Sequence, residues 1–475
     1  MLNSLLNVVQ LLLIVAVLSG CTHTAESEQQ SVASAAAPDT TSRSSESKDA
    51  ESPAAGHTDE CSCGSSHTEK DWPRLYGPSE DSSTCESELV LDWSAAGPPV
   101  LWTKRIGTGY SAPVTQGTSL VLQHRIAEHE IVSCIDVRDG QIVWERRDPT
   151  TFECDYAAYS DGPYSTPVIH GESVIVQSAE GVLRRISMHD GSEHWSRHLS
   201  LEYQVPKYGY GVGHSPVIAG RMIVVNAGGA APDSGVVALD FETGATVWSS
   251  VDLSETRLTG SHAMPVMARI QNRDVCVVLS GDRLSCLDTE SGAVLWEFAV
   301  STHSRDTPNA TTPLVAGDRI LVSSFRADTF CVNAPAGNEA SIAWRKPRSL
   351  GSVFNPLTCR GDYVLGWHSF DKSLRAIALQ TGEVLWKKKT VFERGNHIDT
   401  GEHLIVLGEL GHLGVIACNA DGAEIVCATA EPVLDGPCFT MPALSNGLLF
   451  VRDEKQLICF DLRPTTRRSR PRTGR

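Results

Sequence analysis

Asp240-Phe241-Glu242-Thr243-Gly244-Ala245-Thr246-Val247-Trp248 and Asp288-Thr289-Glu290-Ser291-Gly292-Ala293-Val294-Leu295-Trp296 carry one pattern twice. An acid opens a turn, a Gly follows four residues on, and a Trp sits four beyond the Gly. The acid can accept backbone N–H groups of the turn, and the Gly can take the left-handed conformation there. A Trp at a fixed place on the strand that follows can bury about 150–250 Å² against a neighbouring unit. Working outward, Trp144, Trp195 and Trp386 stand at the same distance from their Gly, and Trp344 follows Gly337 at seven.

Each copy is preceded by a strand opening in x-Pro-apolar: Ala112-Pro113-Val114, Thr166-Pro167-Val168, Ser215-Pro216-Val217, Met264-Pro265-Val266, Thr312-Pro313-Leu314, Asn355-Pro356-Leu357 and Met441-Pro442-Ala443. Pro at the first residue of a strand sacrifices no ladder hydrogen bond. Four short strands per unit, repeating every 40–50 residues or so, is the period of a propeller blade. The expected fold is therefore all-β, an eight-bladed propeller of four-stranded antiparallel blades over residues 72–463. Six blades end at Trp144, Trp195, Trp248, Trp296, Trp344 and Trp386. A seventh runs from about His397 to Val426, with Val in place of Trp and His397 in place of Pro, so it is expected to dock least tightly. The eighth stops one strand short at Asp461. Val100-Leu101-Trp102-Thr103-Lys104 should supply that strand and close the ring, which removes exposed sheet edges.

Cys134, Cys286, Cys331 and Cys459 fall at one third-strand position, where Ala238 and Ala376 stand in other blades. A small apolar site suits buried Cys. No disulfide framework is needed, although Cys276/Cys286 and Cys418/Cys427 stay open as pairs.

The chain ahead of the repeats differs in kind. Leu5 to Leu18 is apolar and has the length of a signal-peptide core. It ends in Leu18-Ser19-Gly20-Cys21, which resembles a bacterial lipobox. Residues 1–20 are then a lipoprotein signal peptide, and Cys21 is the lipid attachment point. Residues 21–71 read as a disordered Ser/Ala/Glu-rich tether that cannot bury enough surface to fold. Within it His57, Cys61, Cys63 and His67 form a candidate Zn or Cu(I) site. The C-x-C spacing is tighter than usual for structural zinc, and a chance cluster or local disulfide competes with that reading. The formal net charge of −17 argues against a nucleic-acid partner. Residues 464–475 form a basic tail, read as a disordered end.

The turn-plus-Trp motif resembles the tryptophan-docking repeat of pyrroloquinoline-quinone-like propellers. These include quinoprotein alcohol dehydrogenases and the propeller lipoprotein of the outer-membrane β-barrel assembly machinery. The lead-in from Trp72-Pro73 to Trp102 resembles the start of non-enzymatic members. For the enzymes, the resemblance implies a quinone at the top of the channel, a disulfide of adjacent cysteines, and a calcium held by Glu, Asn and Asp. This sequence has no Cys-Cys pair, no C-x-x-C-H haem motif, and no trio that matches position by position. The expectation is a monomeric, membrane-tethered envelope scaffold without cofactor that binds envelope or outer-membrane proteins. A quinone- and calcium-dependent dehydrogenase and a small-ligand binder are the alternatives.

The segments before each x-Pro should line one mouth of the channel. They hold Tyr110, Tyr164, Tyr208, Tyr210, His214, His262, Arg305, Asp306, Asn309, Asn355, Arg394, His397 and Asp435. A polar funnel for a ligand or peptide, or a solvated loop collar, can be built from them.

Overall fold

The computed structural model describes residues 70–156, 159–207, 209–253, 262–300, 310–324, 328–334 and 339–464. Among them are eight four-stranded antiparallel sheets. Seven are continuous in sequence, spanning 114–149, 168–198, 217–250, 266–299, 314–346, 358–389 and 395–428. The eighth joins Ala443–Ser445, Leu448–Arg452 and Gln456–Asp461 to Val100–Arg105. Trp102 pairs with Cys459 and Lys104 with Leu457 across that joint. The expected closure of the ring is thus present.

The indoles dock as their spacing implies. Trp102, Trp144, Trp195, Trp248, Trp344 and Trp386 each donate Nε1–H to a carbonyl in the next blade's turn, at 2.8–3.2 Å. The acceptors are Val137, Met188, Phe241, Thr289, Leu379 and Asn419. The ring of Trp195 lies so close on Gly244 that a Cβ there would come within 2.8 Å, and the Gly has φ +69°. Trp248 sits the same way on Gly292. Trp296 makes no such hydrogen bond among the described residues.

Register places each Trp opposite the small third-strand residue: Cys134, Ala238, Cys286, Cys331, Ala376 and Cys459. Blade two breaks the pattern with Arg185 opposite Trp195. In blade seven the residue opposite Val415 is Cys427. Every outer strand bulges by one residue just before the Trp position, and in blade seven the bulged residue is Val426 itself. The expectation of Val426 at the Trp position is off by one because this hairpin is two residues longer, Ile416 pairing with Ile425 where Ile377 pairs with Val384. All described cysteines are free thiols, including Cys276, Cys286, Cys418 and Cys427.

The x-Pro positions also bolt blades together. The hydroxyls of Thr166, Ser215 and Thr312 accept from the backbone N–H of Ala112, Thr166 and Met264 in the preceding blade. Between blades one and two, Glu130 accepts from Ala179 N and Gln123 Nε2, and burial lifts its carboxyl to about 7. At the closing joint the fully buried Arg452 donates to the carbonyls of Gly107, Ser111, Gln123 and Asp453.

The lead-in is part of the body. Asp71, placed in the tether by the sequence, is 3% exposed, and its carboxylate accepts from Gly117 N. Trp72 and Pro73 bond to Thr115 and Ile169 on the innermost strands of blades one and two. Tyr76 packs in one apolar cluster with Ala112, Val217, Met264 and Met441, which come from four blades. Ser82 and Thr84 pair with Asp399 of blade seven, and Glu86 accepts from Gly447 N of blade eight. Val90 N bonds Leu462 O, and Ala430 N bonds Ala95 O. Trp93 is buried in the cluster that joins blades seven and eight. Blade seven, expected to be loosely docked, is sealed by this segment.

Candidate functional site

The inner strands begin at one mouth of the channel, and the segments before them converge there. Tyr110 meets Tyr164 edge-on at 5.1 Å and Phe439 at 5.4 Å. Phe354 packs edge-on against Phe439 at 4.8 Å. Tyr156 stacks on Tyr210 at 4.3 Å, and Tyr159 meets Tyr210 edge-on at 5.1 Å. His262 lies 5.5 Å from the Tyr164 ring. Such edge-to-face pairs are favourable beyond their buried area. The guanidinium of Arg394 lies over Phe354 and Phe439, held by two bonds to Glu409 at 2.6 and 2.7 Å. The result, among the described residues, is a packed aromatic collar.

Three channel candidates, Tyr110, Tyr164 and His262, meet in this collar. His214 is buried and lines a cleft beside it. Asn355 and His397 are held in the joint between blades six and seven. Asn355 Nδ2 donates to Gly395 O at 3.0 Å, tying blade six to blade seven. His397 is wholly buried, accepts from Trp367 Nε1 on Nδ1, and lies 2.8 Å from Thr358 Oγ1. It stands where a Pro opens other blades, so it reads as a channel residue in sequence while serving as a staple in space. Asp435 pairs with Lys455 at the exposed rim. Tyr208, Arg305, Asp306 and Asn309 lie outside the described residues, as do Cys21, His57, Cys61, Cys63 and His67. Phe354, Phe439, Tyr156 and Tyr159 were missed. A signal existed for the first two, since Phe354 directly precedes Asn355-Pro356 and Phe439 lies two before Met441-Pro442.

Burial pushes the hydroxyls of Tyr110, Tyr164 and Tyr210 well above the usual phenol range. Burial also lowers His262 to about 4, and its Nε2 meets Gly211 O at 3.1 Å. Neutral groups of this kind are poor bases and nucleophiles near neutrality. Among the described residues no three His, Cys, Asp or Glu side chains are grouped to hold a metal ion.

Comparison with known proteins gives one family. Its model, described as outer membrane protein assembly factor BamB, matches residues 88–207 and 128–388. The BamB of Yersinia pestis is 23% identical over 402 residues, covering 80% of this chain and 92% of the relative. That of Burkholderia pseudomallei is 23% identical over 266 residues, covering 48% of this chain and 66% of the relative, just under two thirds. Among solved structures, BamB from Moraxella catarrhalis superposes with a TM-score of 0.53 at 18% identity, over 77% of this chain and 98% of that one. A europium-containing methanol dehydrogenase superposes at 0.59 with 10% identity, over 82% and 89%. The fold is therefore shared with proteins of different printed function, so the likeness by itself assigns no activity. By its repeats, its closed ring and the family model that spans most of its length, this chain belongs to the family of PQQ-like propellers described as outer membrane protein assembly factor BamB.

Proposed function

We propose that this chain is a non-catalytic envelope lipoprotein, anchored through Cys21, whose aromatic collar docks a protein partner in outer-membrane protein assembly. The observation that carries the reading is the collar itself. Tyr156 and Tyr159 are 36% and 42% exposed, yet both are braced against the ring of Tyr210. Exposed aromatics and an Arg, held rigid beforehand, are the residue types that dominate binding energy at interfaces. Little ordering entropy is then lost on docking. The family's printed name points to the outer membrane, and the lipobox-like Leu18–Cys21 supplies a means of staying there.

Cross-linking in intact cells, followed by purification of this protein, tests the reading. Outer-membrane assembly proteins should be recovered with the natural chain, and the double variant Tyr156→Ser, Tyr159→Ser should reduce recovery about tenfold. Equal recovery from the double variant sinks the collar as the docking face. Cys21→Ala should move the protein from the membrane fraction to the soluble one. Binding of quinone with calcium, seen as a retained chromophore, would overturn the non-catalytic part.

A further inference from the structure

The rings of the collar are continuous, and carboxylates surround them. Tyr159 lies 6.5 Å from Phe439, so aromatic contacts run unbroken from Tyr156 through Tyr210 to Phe354. Segments 150–164 and 429–442 carry Tyr156, Tyr159, Tyr164 and Phe439. They also hold Glu153, Asp155, Asp161, Glu431 and Asp435, and no Lys, Arg or His. Bases on neighbouring loops are already matched. Arg394 pairs with Glu409 at 2.6 Å and Lys455 with Asp435 at 3.0 Å. Arg125 donates to the carbonyls of Phe152 and Asp161. Arg452 is sealed in the closing joint, where it serves backbone carbonyls. Carboxylates are left over. The side chains of Glu153, exposed, and Glu454, half-buried, form no salt bridge or hydrogen bond among the described residues. Glu454 stands beside the rings: after burial, its charge is the next cause of the raised Tyr110 hydroxyl.

An unpaired carboxylate beside aromatic faces attracts an ammonium or guanidinium group, the carboxylate by its charge and the rings by their quadrupole. An acidic segment would be repelled by the same groups, and a wholly apolar one would cover Glu454 without pairing it. We propose that the partner segment docked on the collar is basic, its arginine or lysine side chains lying over the exposed tyrosines and pairing with Glu153 and Glu454. This inference rests on the collar as the docking face and names the chemistry of what docks there.

The test titrates the purified full-length protein by calorimetry with two peptides. One is Gly-Arg-Gly-Arg-Gly-Arg-Gly, and the other has citrulline, an uncharged isostere, in place of each arginine. The arginine peptide should bind at least about tenfold more tightly, and should weaken several-fold as salt rises from about 50 to about 500 mM. Glu153→Gln with Glu454→Gln should weaken it by about tenfold. Lys207→Ala, which releases Asp155 from a pair at 3.5 Å, should strengthen it by about twofold. Equal binding of the two peptides, no binding of either, or arginine-peptide binding that the double Gln variant leaves unchanged overturns the proposal. Cross-linking in intact cells keeps the two readings apart. Partner recovery lost in both the double Ser and the double Gln variants supports the basic occupant. Recovery lost in Tyr156→Ser, Tyr159→Ser but kept in Glu153→Gln, Glu454→Gln leaves the collar as the docking face and removes the basic occupant.

Discussion

The joint between blades three and four and the joint between blades seven and eight meet one need by different means. In the first, the repeat supplies its own bolt: Trp248 lies on Gly292 and bonds Thr289 O at 3.2 Å. In the second, Cys427 stands where the indole would be, and its Sγ bonds Leu91 O of the lead-in. Trp93, from outside the repeats, adds the missing bulk to that cluster, with no hydrogen bond from its indole Nε1 among the described residues. A groove between blades therefore demands volume first. The hydrogen bond adds to it, and the chain segment that supplies the volume is free to vary.

The largest test of this contrast is deletion of residues 70–98. The loss of Trp72, Tyr76 and Trp93 together should cost more than any single Trp substitution, beyond about 5 kcal/mol, in chemical denaturation. Next, Trp93→Ala and Trp248→Ala should each cost about 3–5 kcal/mol. If Trp93→Ala cost under about 1 kcal/mol, the lead-in would be a passenger and the equivalence would break. Gly244→Ala should cost about 1–3 kcal/mol, because its Cβ meets Trp195 and its φ is positive. Gly422→Ala meets nothing within 4 Å and should be near neutral by the same assay.

Polar joints sharpen the comparison through pH. Glu130 is raised to about 7 in the fold, so its contribution is full below the unfolded carboxylate value and is lost as pH rises towards 7. Glu130→Gln should therefore stabilise by roughly 1–3 kcal/mol at pH 8 and by little at pH 4. His397 is lowered to about 4 by burial, so its contribution is full above about 6.5 and is lost as pH falls towards 4. Melting temperature against pH should show the two limbs, with Glu130→Gln flattening only the alkaline one. Smaller again, Trp144→Phe should cost about 1 kcal/mol more than Trp296→Phe, because Trp144 surrenders an indole hydrogen bond that Trp296 does not make among the described residues.

What the sequence made legible was whatever repeats. Trp, Gly and Pro recur because eight equivalent grooves, turns and strand starts recur, so blade number and closure could be counted. The lead-in is used once and has no second copy to compare with, so the burial of Trp72, Tyr76 and Trp93 was hidden. His397 and Asn355 were assigned to the mouth because they occupy loop positions, yet their side chains turn into the joint between blades six and seven. Val426 was taken for the Trp equivalent because the count from Gly422 assumed the usual hairpin, which in blade seven is two residues longer. The collar was half visible: its tyrosines stood out, while Phe354 and Phe439 were passed over as apolar residues, although packing aromatics is what closes the mouth.

That recurrent bulge has a bearing on how such molecules behave when crowded. Eight outer strands leave eight rows of unpaired amides and carbonyls around the circumference, each a standing invitation to a foreign strand. The extra residue, Leu101 in one blade and Val143, Val247 or Leu385 in others, kinks each row just before the docking position. A visiting chain would find its ladder broken within a few residues, so sideways fibre growth is discouraged by shape as well as by strand charges such as Arg147 and Lys387.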